Sequence, residues 1–214
     1  MRYLLSLLFF FPFLGSALTF QVINKDAEQI EEIITEILEI QKSLLLPLEI
    51  SEIPLYLQTG FLTIQMTHQY LLDFIQTGKF LIAVHQNQIV AYLLLDQMEK
   101  YLNWADSNQF NSGVDLRSFQ NIQYIDQIGV VPEFARQRIG TALIEQAKRL
   151  SPDGLLTDIL SSPHCNHASL CFFAANGFLH IGTMQIKKTA KYQKHATSVM
   201  LWLSDFEVTL NNRS

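Results

Sequence analysis

The chain has 214 residues, enough for one ordinary domain with a well-filled core and short for two. Its hydrophobic fraction of 49% and charged fraction of 16% exclude a disordered chain. A net charge of −5 excludes the global basic field that would hold nucleic acid, and suits a cationic acceptor such as an amine.

The first elements set a puzzle about location. Arg2 precedes an almost wholly apolar run over residues 3–14, and Gly15-Ser16-Ala17 follows. A positive start, an apolar stretch and a small-residue site describe a secretory signal, while Pro12 and Gly15 interrupt the run and argue against a spanning helix. Three readings stay open for residues 1–17: a cleaved signal, a membrane tether, or a start assigned too early. Cys165 and Cys171 stand too close for a disulfide framework and read as free thiols, which favours a cytoplasmic product over an exported or tethered one.

From residue 18 onward a folded domain is expected, ending near 204 before a polar tail over 205–214. Residues 18–23 alternate like a half-buried strand. Asp26 and Gln29 resemble a capping box, and Ile30, Ile33, Ile34, Ile37, Leu38 and Leu44 recur at helical spacing, which predicts a helix over 27–44. Residues 45–66, with Pro47, Pro54 and Gly60, read as an irregular connection. Thr67 opens a second helix through 76, and a hairpin follows with strands at 80–85 and 89–95. Residues 99–121 are polar and read as a long loop. Then come a strand at 122–131, a helix at 139–150, a strand at 155–160, a helix at 168–175, and strands at 178–186 and 198–203. The order β-α-α-β-β-β-α-β-α-β-β predicts an α+β protein, a mixed sheet with helices on both faces.

The chemistry concentrates in the stretch 124–145. A strand leaves through Val130-Val131-Pro132, a short loop carries Arg136 and Arg138, and a helix begins around Gly140. Such a junction aims unpaired backbone N–H groups at one point with the helix dipole behind them, which suits a diphosphate. The plain alternative is a connection whose arginines are merely solvated. His164-Cys165-Asn166-His167 lacks the spacing of a metal set and reads as a loop capping a helix. No metal is expected.

The two blocks resemble the motifs of the GNAT (Gcn5-related N-acetyltransferase) family. In the first, a V-x-P strand end precedes an (Arg/Gln)-x-x-Gly-x-(Gly/Ala) loop. Two registers compete: one puts Ala135 at the Arg/Gln position, Arg138 at the first glycine and Gly140 at the second, and the other reads Gln137-x-x-Gly140-x-Ala142. In the second, Asn166, Ser169, Phe173, Gly177 and Phe178 match N-x-x-(A/S)-x-x-x-(Y/F)-x-x-x-G-F at every anchor. The resemblance implies the GNAT fold over 18–204 and acetyl-CoA as co-substrate. The backbone of Ile128 and Val130 would hold the pantetheine, Arg136, Gln137, Arg138, Ile139, Gly140 and Thr141 the diphosphate, and Asn166 the pantetheine or its loop. A primary amine of a small molecule or a protein would attack the thioester directly, an EC 2.3.1 type of reaction, with Asp126 accepting its proton. Phe173 stands where many members carry a proton-donating tyrosine. A coenzyme-binding or regulatory module without turnover is the alternative, and homodimerisation and membrane association through 1–17 stay open.

Overall fold

The computed structural model describes residues 7–9, 18–45, 60–106, 108–112, 114–119, 121–187 and 195–204. The expected connection falls outside them between residues 46 and 59, as do most of 1–17 and the tail 205–214. The chain divides into two compact units, with residues 1–45, 62–96 and 127–147 in the first and residues 46–61, 97–126 and 148–214 in the second.

In the first unit β1 (Leu7–Phe9), β2 (Leu18–Ile23), β3 (Lys79–His85) and β4 (Gln88–Gln97) lie side by side and antiparallel. Three residues of the N-terminal apolar segment are thus paired to the sheet edge, Leu7 opposite Phe20 and Phe9 opposite Leu18. The β3–β4 turn is Gln86-Asn87, both at positive φ (50° and 62°), the two-residue geometry whose twist matches the strands it joins. Helix α1 (Ile30–Leu44) buries Ile33, Ile34, Ile37 and Ile40, and α2 (His68–Phe74) buries Leu71 and Phe74, together with Phe80, Ile82, Tyr92 and Leu94 of the sheet. The isoleucine spacing therefore does what its period dictates. The N-cap of α1 is Gln29, with no side-chain cap hydrogen bond of its own. The Asp26 N–H donates to Asn24 Oδ1 (3.1 Å) in a local turn, and the helix begins at Ile30, three residues after the expected start. Thr67 does cap α2, accepting from the N–H of Tyr70 at 3.1 Å.

The second unit corrects the expected loop over 99–121. Its chain forms α3 (Met98–Asp106), β5 (Gln109–Ser112) and a 3-10 turn at Leu116–Ser118 capped by Asp115. The apolar positions Met98, Tyr101 and Ala105 are spaced three and four apart and are buried, a helical face hidden within a polar composition. Strand β6 (Gln123–Val130) contributes its first half to this unit and pairs in parallel with β7 (Gly154–Ser162) over Gln123–Ile125 and Leu155–Thr157. Beyond β7 follow β9 (His195–Leu203), β8 (Leu179–Ile186) and β5, all antiparallel to their neighbours. Met98, Tyr101, Leu116, Leu156, Met184, Val199 and Leu201 fill the core between α3 and these strands. The mixed α+β architecture expected from the element order is the one observed, and β1, β5 and α3 are its additions.

Candidate functional site

The second half of β6, the loop after it and the start of α4 (Ile139–Leu150) lie in the first unit. Gly129 of β6 is held in close quarters, because a Cβ there would stand 2.6 Å from Tyr92 Cε1 and 2.9 Å from Leu44 Cδ1. The tyrosine is itself fixed, its hydroxyl donating to Gln127 Oε1 at 2.6 Å, while Gln127 Nε2 reaches the Ile64 carbonyl at 3.4 Å. The strand ends as the Val131 N–H donates to the Val90 carbonyl (2.9 Å), and Pro132–Phe134 makes one 3-10 turn with the Phe134 ring 5.4 Å from that of His85. These contacts fix where the loop departs.

The loop itself takes an unusual path. Arg136 and Arg138 both adopt left-handed backbone with φ of 62°, a conformation glycine enters freely and a residue with a Cβ enters at a cost. Their side chains, with those of Ala135 and Gln137, are exposed, whereas Ile139 and Gly140 are buried and Thr141 is partly so. Gln137 Nε2 donates to the Glu133 carbonyl at 3.1 Å and steadies the loop. The first N–H to join the helical ladder is that of Ala142, which donates to the Arg138 carbonyl (3.0 Å). The N–H groups of Ile139, Gly140 and Thr141 precede it and point out of the helix N-terminus, where partial positive charge gathers. Alternation of left-handed with ordinary backbone curls successive N–H groups toward one side, the arrangement that receives anions. Ile128, Val130 and the run from Arg136 to Thr141 all lie in the first unit. The left-handed φ at Arg138 matches the register that sets Arg138 at the first glycine.

Asp126 and Asn166 belong to the second unit. Asn166, only 6% exposed, caps α5 (His167–Ala175): its Oδ1 accepts from the Ser169 N–H at 3.2 Å, and its Nδ2 donates to the Phe61 carbonyl at 2.9 Å. At the other end of α5 the Gly177 N–H donates to Ala174 O and the Phe178 N–H to Phe173 O (3.0 and 3.1 Å), with Gly177 at φ 85°. That is a Schellman ending, and its usual hydrophobic contact is made by the rings of Phe173 and Phe178, 5.0 Å apart. Every anchor of the second motif thus has a structural task.

A second carboxylate, Asp158, stands out in the same unit. Asp158 interrupts the buried strand β7 and accepts a hydrogen bond from the Tyr124 hydroxyl on β6. The Tyr124 and Tyr101 rings lie 4.5 Å apart. Burial, with the neighbouring Asp158 charge, pushes the Tyr124 and Tyr101 hydroxyls above the ordinary phenol range, and burial pushes the Asp158 carboxyl up. Asp126, two residues beyond Tyr124, adds its negative charge against ionisation of that phenol. The signal that could have singled out Asp158 is a lone carboxylate within the run Leu155-Leu156-Thr157-Asp158-Ile159-Leu160.

Residues 48–178, more than half of the chain, match the acetyltransferase (GNAT) family. The chain belongs to that family. Among solved structures, NAA60 of Arabidopsis thaliana in complex with acetyl-CoA is similar at a TM-score of 0.59 and 12% identity, over 87% of this chain and 98% of that one. The ribosomal-protein-S18-alanine N-acetyltransferase of Escherichia coli matches at 0.53 and 10%, over 86% and 93%. The PaiA N-acetyltransferase of Thermoplasma acidophilum in complex with coenzyme A matches at 0.52 and 12%, over 86% and 98%. At such identities the likeness is one of fold, and this GNAT chain shares that fold. No curated protein sequence matches it. Among the described residues no helix is long and apolar enough to cross a membrane.

Proposed function

We propose that this GNAT protein moves an acetyl group from acetyl-CoA to a primary amine of a small molecule or a protein by direct attack. The observation that carries the reading is the β6–α4 loop, where left-handed backbone at Arg136 and Arg138 leads into the N–H groups of Ile139, Gly140 and Thr141, which precede the first bond of the helical ladder and have no partner among the described residues. These donors suit a diphosphate, and the two exposed guanidinium groups add charge beside it. Family membership and the acetyl-CoA bound by NAA60 name the donor that this loop would take. The ladder of β6 with β7 ends at Ile125, and the backbone of Ile128 and Val130 beyond it is assigned to the pantetheine amides.

In the reaction the amine nitrogen forms a bond to the acetyl carbon, the C–S bond breaks, and the thiolate takes up a proton. An alkylammonium with a pKa near ~10 must first lose a proton near neutral pH. Asp126 is assigned that role, and Asp126→Asn should lower kcat/KM by about 10²–10³ while acetyl-CoA affinity holds. Asn166 is assigned to the loop rather than the ligand, since its amide caps α5 and ties down Phe61. Phe173 offers no proton, and its ring is packed into the core at 3% exposure, which is what favours the second reading, a coenzyme-binding module without turnover.

The test is acetyl-CoA binding with product analysis. Saturation at about 100 times Kd stabilises a protein by about 2.7 kcal/mol, a rise of roughly 5–10 °C in Tm at this size. Arg136→Glu with Arg138→Glu, both exposed positions, should weaken binding about tenfold or more with little change in the Tm of the free protein. Absence of any shift at millimolar acetyl-CoA sinks both readings. A shift without acetylated product from a panel of amines leaves the module.

A further inference from the structure

We infer that Asp158, Tyr124, Tyr101 and Thr197, clustered in the second unit, bind the alkylammonium group of a cationic acceptor. Naming that ligand the acceptor rests on the acetyl-transfer reading, whereas its binding does not.

The cluster is built at a cost that a cation would offset. Asp158 sits on a buried strand, and the groups that favour its ionised form are the Tyr124 hydroxyl, Thr197, His195 and its own backbone. Among the described residues none of these is a lysine or arginine. A carboxylate taken out of water without a full counter-charge is expensive, and a bound cation relieves that expense. The hydroxyl of Tyr101, 2% exposed, has no hydrogen-bond partner among the described residues, nor has Gln123 Oε1 on β6. The Thr197 hydroxyl, 5% exposed, faces Asp158 without completing a hydrogen bond of normal geometry. Orphaned buried oxygens are uncommon in a folded core and mark where a donor is missing.

The missing donor has a definite chemistry. An ammonium has three N–H donors and no acceptor, and it is drawn to the faces of aromatic rings. Here it meets a carboxylate, hydroxyl oxygens and the two tyrosine rings 4.5 Å apart. An anion would meet Asp158 and Asp126, both acting on Tyr124. A neutral alcohol would leave the carboxylate uncompensated. Asp158 and Tyr124 are only partly buried, so the cluster is not sealed. Asp126 and Tyr124 share a face of β6, two residues apart, so an ammonium held at Asp158 would sit on the face that carries the assigned base.

The experiment titrates the full chain with n-butylamine, and with n-butanol as neutral match, by calorimetry near neutral pH without acetyl-CoA. The amine should bind about tenfold tighter than the alcohol, the scale of a hydrogen bond to a charged group. Asp158→Asn keeps the shape and the acceptor for Tyr124, and should lower amine affinity about tenfold while leaving the acetyl-CoA shift in Tm intact. Affinity in the native protein should fall as pH drops through the raised range of the Asp158 carboxyl. His195 faces it from β9, and the Asn variant should lose the part of the dependence that belongs to the carboxyl. The Tyr101 and Tyr124 phenols, pushed upward, stay neutral throughout.

Equal affinity for alcohol and amine, or a folded Asp158→Asn that binds the amine as the native protein does, overturns the inference. Should that variant not fold, Tyr101→Phe deletes only the unpartnered hydroxyl. It should hold or raise Tm and weaken amine binding about threefold to tenfold, and unchanged affinity also overturns the inference. Amine binding that persists where acetyl-CoA gives no shift supports the ammonium site and rejects acetyl transfer.

Discussion

The junction after β6 and the junction after β7 both run from a strand into a helix N-terminus, and they complete their backbone in opposite ways. After β7, Asn166 supplies the missing partners from its side chain, capping α5 through Ser169 and tying down Phe61. After β6 no side-chain cap closes α4 among the described contacts. Two arginines take left-handed backbone, and three N–H groups are left facing outward. A helix N-terminus closed by its own cap contributes stability, and one left open can receive an anion. The two motifs that mark the family therefore divide the labour. One holds the second unit together, and the other is assigned to the coenzyme.

The sharpest way to break this contrast is Asn166→Ala. Loss of an N-cap costs about 0.5–2 kcal/mol, and leaving the buried Phe61 carbonyl without its donor costs about 1–3 kcal/mol more. A total of about 1.5–5 kcal/mol should lower Tm by roughly 3–20 °C. Acetyl-CoA affinity per folded molecule should stay within about threefold of native, because the open junction is untouched. A normal Tm with lost coenzyme binding would reverse the assignment and make Asn166 a ligand contact.

Phe173→Tyr comes next. The ring lies at 3% exposure, 5.2 Å from Phe172 and 5.0 Å from Phe178, inside the Schellman ending of α5. A hydroxyl added there without a partner costs about 1–3 kcal/mol. Thermal denaturation should show that loss with turnover unchanged. Raised turnover at unchanged stability would mean the position reaches the reacting sulfur after all.

These two motifs also show how far the sequence could be read. Isoleucines at helical spacing placed α1, the boundaries of α4 came out at 139 and 150, and the anchors of the second motif were visible through their resemblance to the family pattern. The cap before α5 was legible in residues 164–167; that Asn166 also ties down the Phe61 carbonyl was not, because spacing does not encode a contact between residues 105 apart. The helix α3 escaped because Glu99, Lys100, Asn103 and Asp106 dominate its composition while Met98, Tyr101 and Ala105 carry its buried face. The Asp158 cluster escaped for a different reason. Its members come from α3, β6, β7 and β9, and only the pairing of those strands brings them together. Long-range register is the level of information that a single chain's periodicity lacks.

The smallest expected effect tests the open junction most directly. Arg138 at φ 62° carries a Cβ in a region that disfavours it by about 1–2 kcal/mol, and Arg138→Gly removes that penalty. Glycine also gains freedom in the unfolded chain, which returns about 0.5–1 kcal/mol. The net should be a stabilisation of up to about 1 kcal/mol, or roughly 2–4 °C in Tm. Arg138→Ala is the control, since it loses the same exposed charge and keeps the Cβ, so it should be less stable than Arg138→Gly by about 1 kcal/mol. Ala135→Gly supplies the opposite sign: Ala135 has φ −61°, where glycine brings only its entropy cost of about 0.5–1 kcal/mol. If backbone N–H groups do the binding, Arg138→Gly should keep acetyl-CoA within about threefold, the scale of one exposed charge. Equal stability of Arg138→Gly and Arg138→Ala would show that the loop is not left-handed at Arg138, and the open junction would lose the geometry on which its assignment rests.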